Sequence, residues 1–239
     1  MKIGIQLYSV RQAMEKDFYG TLERVKQAGY DGVEFAGYYG QTAEDVKAAL
    51  DKLGLVACST HTNVGDPQKA ADFEKKLGNK NIVCPGLPSG DAEKLGNAIA
   101  TLRNAAEVLE PQGLRVGYHN HSHEFEKIDG EYIFDAILRE IPSLLCEIDV
   151  GWAHVAGVDP AGFMRKHSGR VEIIHLKDIG ENGRSTEIGS GNVDMPGVVE
   201  AAKECGTEWL IVEQEDFEGP PMFESIKISC DAVKKMIEG

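Results

Sequence analysis

The sequence predicts a (β/α)8 barrel, the α/β TIM-barrel class, spanning residues 1–239 as one domain. Three observations carry this. A phrase recurs in which an amphipathic stretch ends at a glycine and a short apolar run follows, at Gly29, Gly54, Gly78, Gly113, Gly169 and Gly206. The runs are rich in Val, Ile and Leu and largely unalternating, as expected of parallel strands covered on both faces. Their starts lie about 23 to 38 residues apart, the length of a βα unit, and no linker or low-complexity segment interrupts them. Glycine suits the helix-to-strand turn because it tolerates positive φ.

Taken in order, the eight runs begin with Ile3–Tyr8 and Val33–Phe35 and continue with Leu55–Cys58 and Asn81–Cys84. Leu114–His119, Leu144–Asp149, Val171–His175 and Trp209–Glu213 complete them. Helices fill the spaces. Ala43–Leu53 follows Thr42, an N-cap residue, and Asp66-Pro67 and Asp159-Pro160 pair a cap with a proline at the first helical position. The 92–110 stretch sets Leu95, Ala98, Ile99, Leu102, Ala106 and Leu109 on one face, and 194–205 and 221–237 are further helices, the last turning Ile226, Val233 and Ile237 inward. The alternative, an open doubly wound sheet binding a dinucleotide, wants GxGxxG after the first strand. That turn reads Ser9-Val10-Arg11-Gln12 instead.

The chain has 39 acidic residues against 25 Lys+Arg, a net charge of −14, which argues against a nucleic-acid partner. No apolar stretch approaches the ~18–20 residues that span a bilayer, so no membrane association is expected. The opening Met1–Tyr8 reads as a strand rather than a leader. Five cysteines, none closer than 25 residues to the next, exclude CxxC metal knuckles and favour a reducing, cytoplasmic setting.

Chemistry in such a barrel collects where strands end. The residues there are Gln6, Tyr8, Glu34, His61, Cys84, His119 to Glu124, Asp149, His175 and Glu213. Burying unpaired charge is costly, so a convergence of carboxylates and imidazoles on strands 5 to 8 points to a divalent cation, with O/N ligation suited to Mn, Zn, Co, Fe or Mg. His119, His121 and His123 alternate and would share one strand face, with His123 peripheral. His154 and His167 read as loop or helix residues. In strand 7, Lys177 shares a face with His175 and would bring an ammonium to a substrate oxygen, or else form a surface contact with Asp178. The loop Glu187–Asp194 has glycine amides that could hold an anion, or is a plain connection.

At these residues the sequence resembles the sugar phosphate isomerase/epimerase family, the xylose isomerase-like barrels. The likeness covers essentially the whole chain. It rests on Tyr118-His-Asn-His121-Ser-His-Glu-Phe125, on Glu147-Ile-Asp149-Val-Gly-Trp152 running on to Pro160, and on His175-Leu-Lys-Asp178. Gly189-Ser-Gly-Asn-Val-Asp194 and Val212-Glu213-Gln214 complete it. The resemblance implies a divalent metal held by a Glu, an Asp, a His and a second Glu at successive strand ends. Asp149, His175 and Glu213 match the last three. For the first, either His119 takes the ligand place or Glu124 reaches back, and Glu124 is the expected ligand. A related branch, the abasic-site endonucleases with three zinc ions, has a His where this chain has Trp152, and is not expected.

The expected reaction is proton transfer beside a sugar carbonyl through an enediolate, with a carbohydrate as the small-molecule partner. Glu213 and Glu124 would exchange the proton. His61, His119, His121 and Lys177 would orient hydroxyls, and Trp152 would wall a sugar face. A lyase or dehydratase acting on a keto-sugar or polyol would begin with the same deprotonation. A sugar-binding barrel without turnover is the non-enzymatic alternative. Barrels of this kind often form homo-oligomers, but nothing in the sequence sets the oligomeric state.

Overall fold

The computed structural model describes residues 1–239. Eight parallel strands form one sheet: β1 Lys2–Gln6, β2 Gly32–Phe35, β3 Val56–His61, β4 Asn81–Cys84, β5 Arg115–His119, β6 Leu145–Glu147, β7 Ile173–Leu176 and β8 Trp209–Val212. The pairing order is β6-β5-β4-β3-β2-β1-β8-β7. The two edges meet through a parallel bridge between Asp149 and His175. Backbone bonds from Cys146 to Arg170 O (2.9 Å) and from His175 to Ile148 O (2.9 Å) support that seam. The barrel therefore closes, and its last stitch joins two of the residues singled out by the sequence.

Ten helices surround the sheet: α1 Arg11–Lys16, α2 Phe18–Ala28, α3 Ala43–Leu53, α4 Pro67–Leu77, α5 Ala92–Leu109, α6 Ile133–Glu140, α7 Val150–Val155, α8 Pro160–Lys166, α9 Met195–Cys205 and α10 Met222–Glu238. All six phrase glycines adopt positive φ, from 63° at Gly54 to 102° at Gly29. The hydroxyl of Thr42 accepts from Asp45 N (3.1 Å), and Asp66 Oδ1 accepts from Lys69 N (3.4 Å). Asp159 stands at the expected cap position but makes no cap bond with its side chain. None of the helices is long and apolar enough to cross a membrane.

The apolar core divides in two. A cluster of 60 buried residues lies between sheet and helices. A second, of four residues (Cys58, Ile173, Trp209 and Ile211), plugs the barrel lumen. Two glycines make that plug possible. A Cβ on Gly32 would stand 2.7 Å from the Trp209 ring, and one on Gly4 would stand 2.6 Å from Ile211 Cδ1. Alternation along the strands then dictates what lies above the plug. Two residues past Gly4 is Gln6, past Gly32 is Glu34, past Ile173 is His175 and past Ile211 is Glu213. The lumen is apolar at its floor and ionisable at its mouth.

Candidate active site at the barrel mouth

The mouth opens into a cleft of about 460 Å³ lined by Tyr8, Ala36, His61, Pro85, His119, His121, Trp152, Lys177, Glu213 and Glu215. Beneath and beside it, ligand atoms of His119, Asp149, His175 and Glu213 lie within 4.8 Å of one another, all buried. His175 presents Nδ1 to Glu213 Oε2 at 3.1 Å and Nε2 to Glu34 Oε1 at 2.6 Å. Asp149 caps α7, its Oδ1 accepting from Trp152 N (2.9 Å). Its other oxygen, Oδ2, has no hydrogen-bond partner, and neither has His119 Nδ1. Asn120 fixes the segment by accepting from Asp149 N at 3.0 Å.

Lys177 is only 1% exposed, and its ammonium serves three carboxylates. It lies 2.7 Å from Glu215 Oε1, 3.1 Å from Glu213 Oε2 and 3.3 Å from Asp149 Oδ2, and 4.8 Å from the centre of the Trp152 ring. Desolvation opposes its charge, but Asp149, Glu213 and Glu215 more than compensate and raise its pKa. Burial pushes the Glu213 carboxyl up, and Lys177 and His175 overcome this to hold it well below the usual range. Burial raises Asp149, with Lys177 opposing. Burial and the neighbouring His175 and His61 depress His119 far below an ordinary imidazole.

A second group, His61, His119, Glu147 and His175, shares two residues with the first and has Glu34 beside it. His61 Nε2 is 2.6 Å from Glu147 Oε2 and 3.2 Å from Glu34 Oε1. Gln6 donates to Glu34 Oε1 at 2.6 Å, and Ser59 donates to its other oxygen. Burial raises Glu34, but His61 and His175 bring it down to about 2. Burial and the adjacent Glu34 push Glu147 up to about 7. Desolvation lowers His61 and His175, but Glu34 and Glu147 leave both raised.

Glu124 is not brought to the Asp149 set, which corrects the expected fourth ligand. Its Oε1 accepts from Tyr118 OH (2.8 Å) and its Oε2 from His121 N (2.8 Å), so it braces the loop after β5. It groups with His121 and His123 instead. His119, the alternative to Glu124 for that place, lies in the group with Asp149, His175 and Glu213. The three histidines do not share a strand face, because β5 stops at His119 and the chain enters a 3-10 turn over His123–Phe125. His121 keeps its ring 5.8 Å from Trp152 in the cleft.

The glycine loop after β7 does not present free amides. Asp178 accepts from Gly189 N (2.8 Å), Gly191 N (3.0 Å) and Val193 N (3.1 Å), filling with its own carboxylate the anion place the sequence suggested. This also decides between the readings of Lys177: it pairs into the mouth and not with Asp178. His167 bonds Asp135 (2.7 Å) away from the site. The sequence reading assigned no role to Glu34, Glu147 or Glu215. Parity would have found Glu147, which lies two residues before Asp149 and so faces the same side of the strand.

Among known proteins, the chain is 24% identical over 240 residues to a rhizopine catabolism protein, MocC, of Rhizobium meliloti, covering 81% of this chain and 73% of that one. It is 23% identical over 250 residues to an inosose dehydratase of Lacticaseibacillus casei, covering 84% and 83%. A sugar phosphate isomerase/epimerase from Parabacteroides distasonis superposes with a TM-score of 0.88 at 26% identity, covering 98% of both chains. An IolI protein solved with a bound zinc atom superposes with a TM-score of 0.80 at 14% identity, covering 100% and 98%. The family described as xylose isomerase-like TIM barrel matches residues 22–236. With a closed eight-stranded barrel and a carboxylate–imidazole mouth, the chain belongs to the xylose isomerase-like TIM barrels.

Proposed function

We propose that the protein is a divalent-metal-dependent enzyme that moves a proton beside the carbonyl of a sugar or keto-sugar, as an isomerase or epimerase. The observation that carries this is the convergence of His119, Asp149, His175 and Glu213 under an open cleft. The donors suit a metal ion: two carboxylates and two imidazoles, no thiolate, and a buried Asp149 Oδ2 that accepts no hydrogen bond and meets only the Lys177 ammonium, at 3.3 Å. Asp149, His175 and Glu213 would hold the ion, with His119 beside them. When bound, a divalent cation supplies Lewis-acid stabilisation of negative charge developing on substrate oxygen.

The chain's own groups supply the rest. Glu213, kept ionised by Lys177, takes the carbon-bound proton. His121 stands on the β5 side of the cleft, where burial lowers its pKa; as an imidazolium charged from solvent it gives a proton to the carbon and is left as neutral imidazole, while Glu213 releases its proton to solvent. Lys177 and His61 orient hydroxyls, and Trp152 gives a sugar ring an apolar wall. The second reading is dehydration, in which the same deprotonation is followed by loss of a hydroxyl. It is favoured by two proton donors in one cleft, Lys177 and His121, and by the relatives named inosose dehydratase.

The experiment is incubation with aldoses, ketoses and inososes in D2O, with Mn or Zn and with EDTA. Deuterium should enter the carbon next to the carbonyl, and EDTA or Glu213→Gln should abolish this. Product with one water fewer selects the dehydratase. Binding of sugars without exchange or product, indifferent to EDTA, would replace both readings with a sugar-binding barrel.

A further inference from the structure

We propose that the cleft takes an uncharged carbohydrate, a free sugar, keto-sugar or polyol, in preference to a phosphorylated one, and that Glu215 sets this selectivity. The inference rests on the reading of the cleft as a carbohydrate site and goes beyond it to the charge of the substrate. Glu213 and Glu215 both line the cleft, and Glu215 stands nearer solvent, its side chain 35% exposed against 8% for Glu213. Glu215 Oε1 accepts from the Lys177 ammonium at 2.7 Å, and its Oε2 meets no donor. A free carboxylate oxygen at this place accepts a substrate hydroxyl and repels a phosphate ester, which carries about −1.5 to −2 charges at neutral pH.

The backbone holds Glu215 there. Glu215 N and Asp216 N both donate to Ser185 Oγ, at 2.8 and 2.9 Å, and Ser185 N donates to Asp216 Oδ2 at 3.2 Å. Ser185 belongs to a hairpin in which Ser185–Thr186 pairs antiparallel with Asp178–Ile179, just after β7. The segment carrying Glu215 is thus tied to the strand end that delivers Lys177.

Barrels of this class often hold phosphate on the loops after the seventh and eighth strands, with a helix N-terminus beside them. In this chain carboxylates take that ground. After β7, the amides of Gly189, Gly191 and Val193 already hold Asp178. The next helix, α9, is capped by Asp194, whose Oδ1 accepts from Gly197 N at 3.1 Å. After β8 come Glu215, Asp216 and Glu218, and α10 has Glu224 in its first turn. A cavity of about 260 Å³ between these loops is walled by Glu181, Glu187, Asp216 and Glu218 and by no lysine or arginine. The cleft has the same balance. Lys177 is its one lysine or arginine, and that ammonium is shared among Asp149, Glu213 and Glu215. A divalent ion on Asp149 and Glu213 would bring these charges to zero, with no surplus for an anionic substrate. Like charge placed against a ligand rejects it, whereas a free sugar brings only hydroxyls and an apolar face for Trp152.

The test pairs free compounds with their own phosphate esters: D-fructose with fructose 6-phosphate, D-ribulose with ribulose 5-phosphate, and myo-inositol with inositol 1-phosphate. The zinc-loaded full chain is assayed for deuterium exchange in D2O with the sugars, and binding of every pair is measured separately by calorimetry. In at least one pair the free compound should exchange or bind about 100-fold better than its ester. Glu215→Gln should cut that ratio about tenfold by strengthening the ester. Glu181→Gln, which removes an exposed carboxylate outside the cleft, should leave it unchanged. A general loss of structure would weaken both members of a pair alike. An ester that exchanges as well as its free sugar overturns the selectivity while the reaction stands, and an ester that binds as tightly overturns it too. Exchange with neither member, but binding of the free compound alone, removes the reaction and keeps the selectivity. A ratio unmoved by Glu215→Gln, or moved equally by Glu181→Gln, overturns the role of Glu215. If no member of any pair binds, the carbohydrate reading and this inference fall together.

Discussion

Replacing Lys177 by methionine tests the electrostatic design of the mouth. The ammonium lies 3.1 Å from Glu213 Oε2 and 3.3 Å from Asp149 Oδ2. At an effective dielectric of about 20, each contact is a gross attraction of roughly 5 kcal/mol, most of it offset by the cost of desolvating three charges. Removing one member of a buried pair exposes that cost and destabilises by about 3–5 kcal/mol. Methionine fills a similar volume, so the loss is electrostatic. The pH dependence follows from Glu213, whose folded pKa is depressed. Its contribution is present above the unfolded carboxylate pKa near 4.5 and is lost as pH falls through the lower folded value. The variant lacks that contribution, so its deficit is full at pH 8 and shrinks below about pH 4.5. Urea unfolding in chelator at pH 8 and pH 4 measures both. Saturating zinc should return part of the loss at pH 8, about 2.7 kcal/mol at a hundredfold excess over Kd. A deficit under about 1 kcal/mol at pH 8, or one independent of pH, would refute the reasoning.

Three further outcomes follow from the same contacts. Gly151→Ala would place a Cβ 2.6 Å from Lys177 O and 2.8 Å from its Cγ. It should cost about 1–3 kcal/mol in urea unfolding and shift the near-ultraviolet signal of Trp152. Asp178→Ala removes an acceptor from the amides of Gly189, Gly191 and Val193. It should destabilise by about 2–4 kcal/mol and open the 187–194 loop to protease, while zinc binding persists. Metal-free protein should lose stability between pH 6 and pH 9. His61 and His175 have raised pKa values, so their contribution is complete below about 6.5 and fades as pH rises through the folded values, and Glu147, at about 7, acts in the same direction. Calorimetry across that range checks it, and zinc should flatten the slope because the ion replaces the protons.

The fold was legible because each βα unit carries its own local signals. Gly54 and Gly206 end helices at positive φ, at 63° and 72°, and Val, Ile and Leu runs follow them. These are properties of a few neighbouring residues. Closure was less legible. The stitch between Asp149 and His175 and the bonds at Cys146 and Arg170 join segments about 25 residues apart, and nothing local marks them. The extent of β6 shows the difference. Its apolar run suggested Leu144–Asp149, but the regular strand covers only Leu145–Glu147, and Asp149 adds one isolated bridge to His175 before capping α7.

The same distinction explains which site residues could be read. Asp149, His175 and Glu213 stand where apolar runs stop, a local mark. Glu124 stands in an equally polar tract, yet it serves Tyr118 OH and His121 N, because β5 ends four residues earlier than strand alternation through His123 would require. Glu34 is ambiguous in the sequence, since a lone strand-end glutamate usually caps a helix. Its role becomes visible only when β1 and β3 deliver Gln6 and Ser59 to its oxygens and His175 approaches from across the lumen. Glu147 hides inside an apolar phrase, Leu-Leu-Cys-Glu-Ile-Asp, where parity with Asp149 is the one clue. Parity becomes decisive once the plug is known. Trp209 and Ile211 fill the lumen floor, so a carboxylate facing inward just above them is largely cut off from water, as Glu34 and Glu147 are, and must find a cation or an imidazole. The two glutamates and the histidines that meet them are therefore a consequence of the same alternation that makes the barrel.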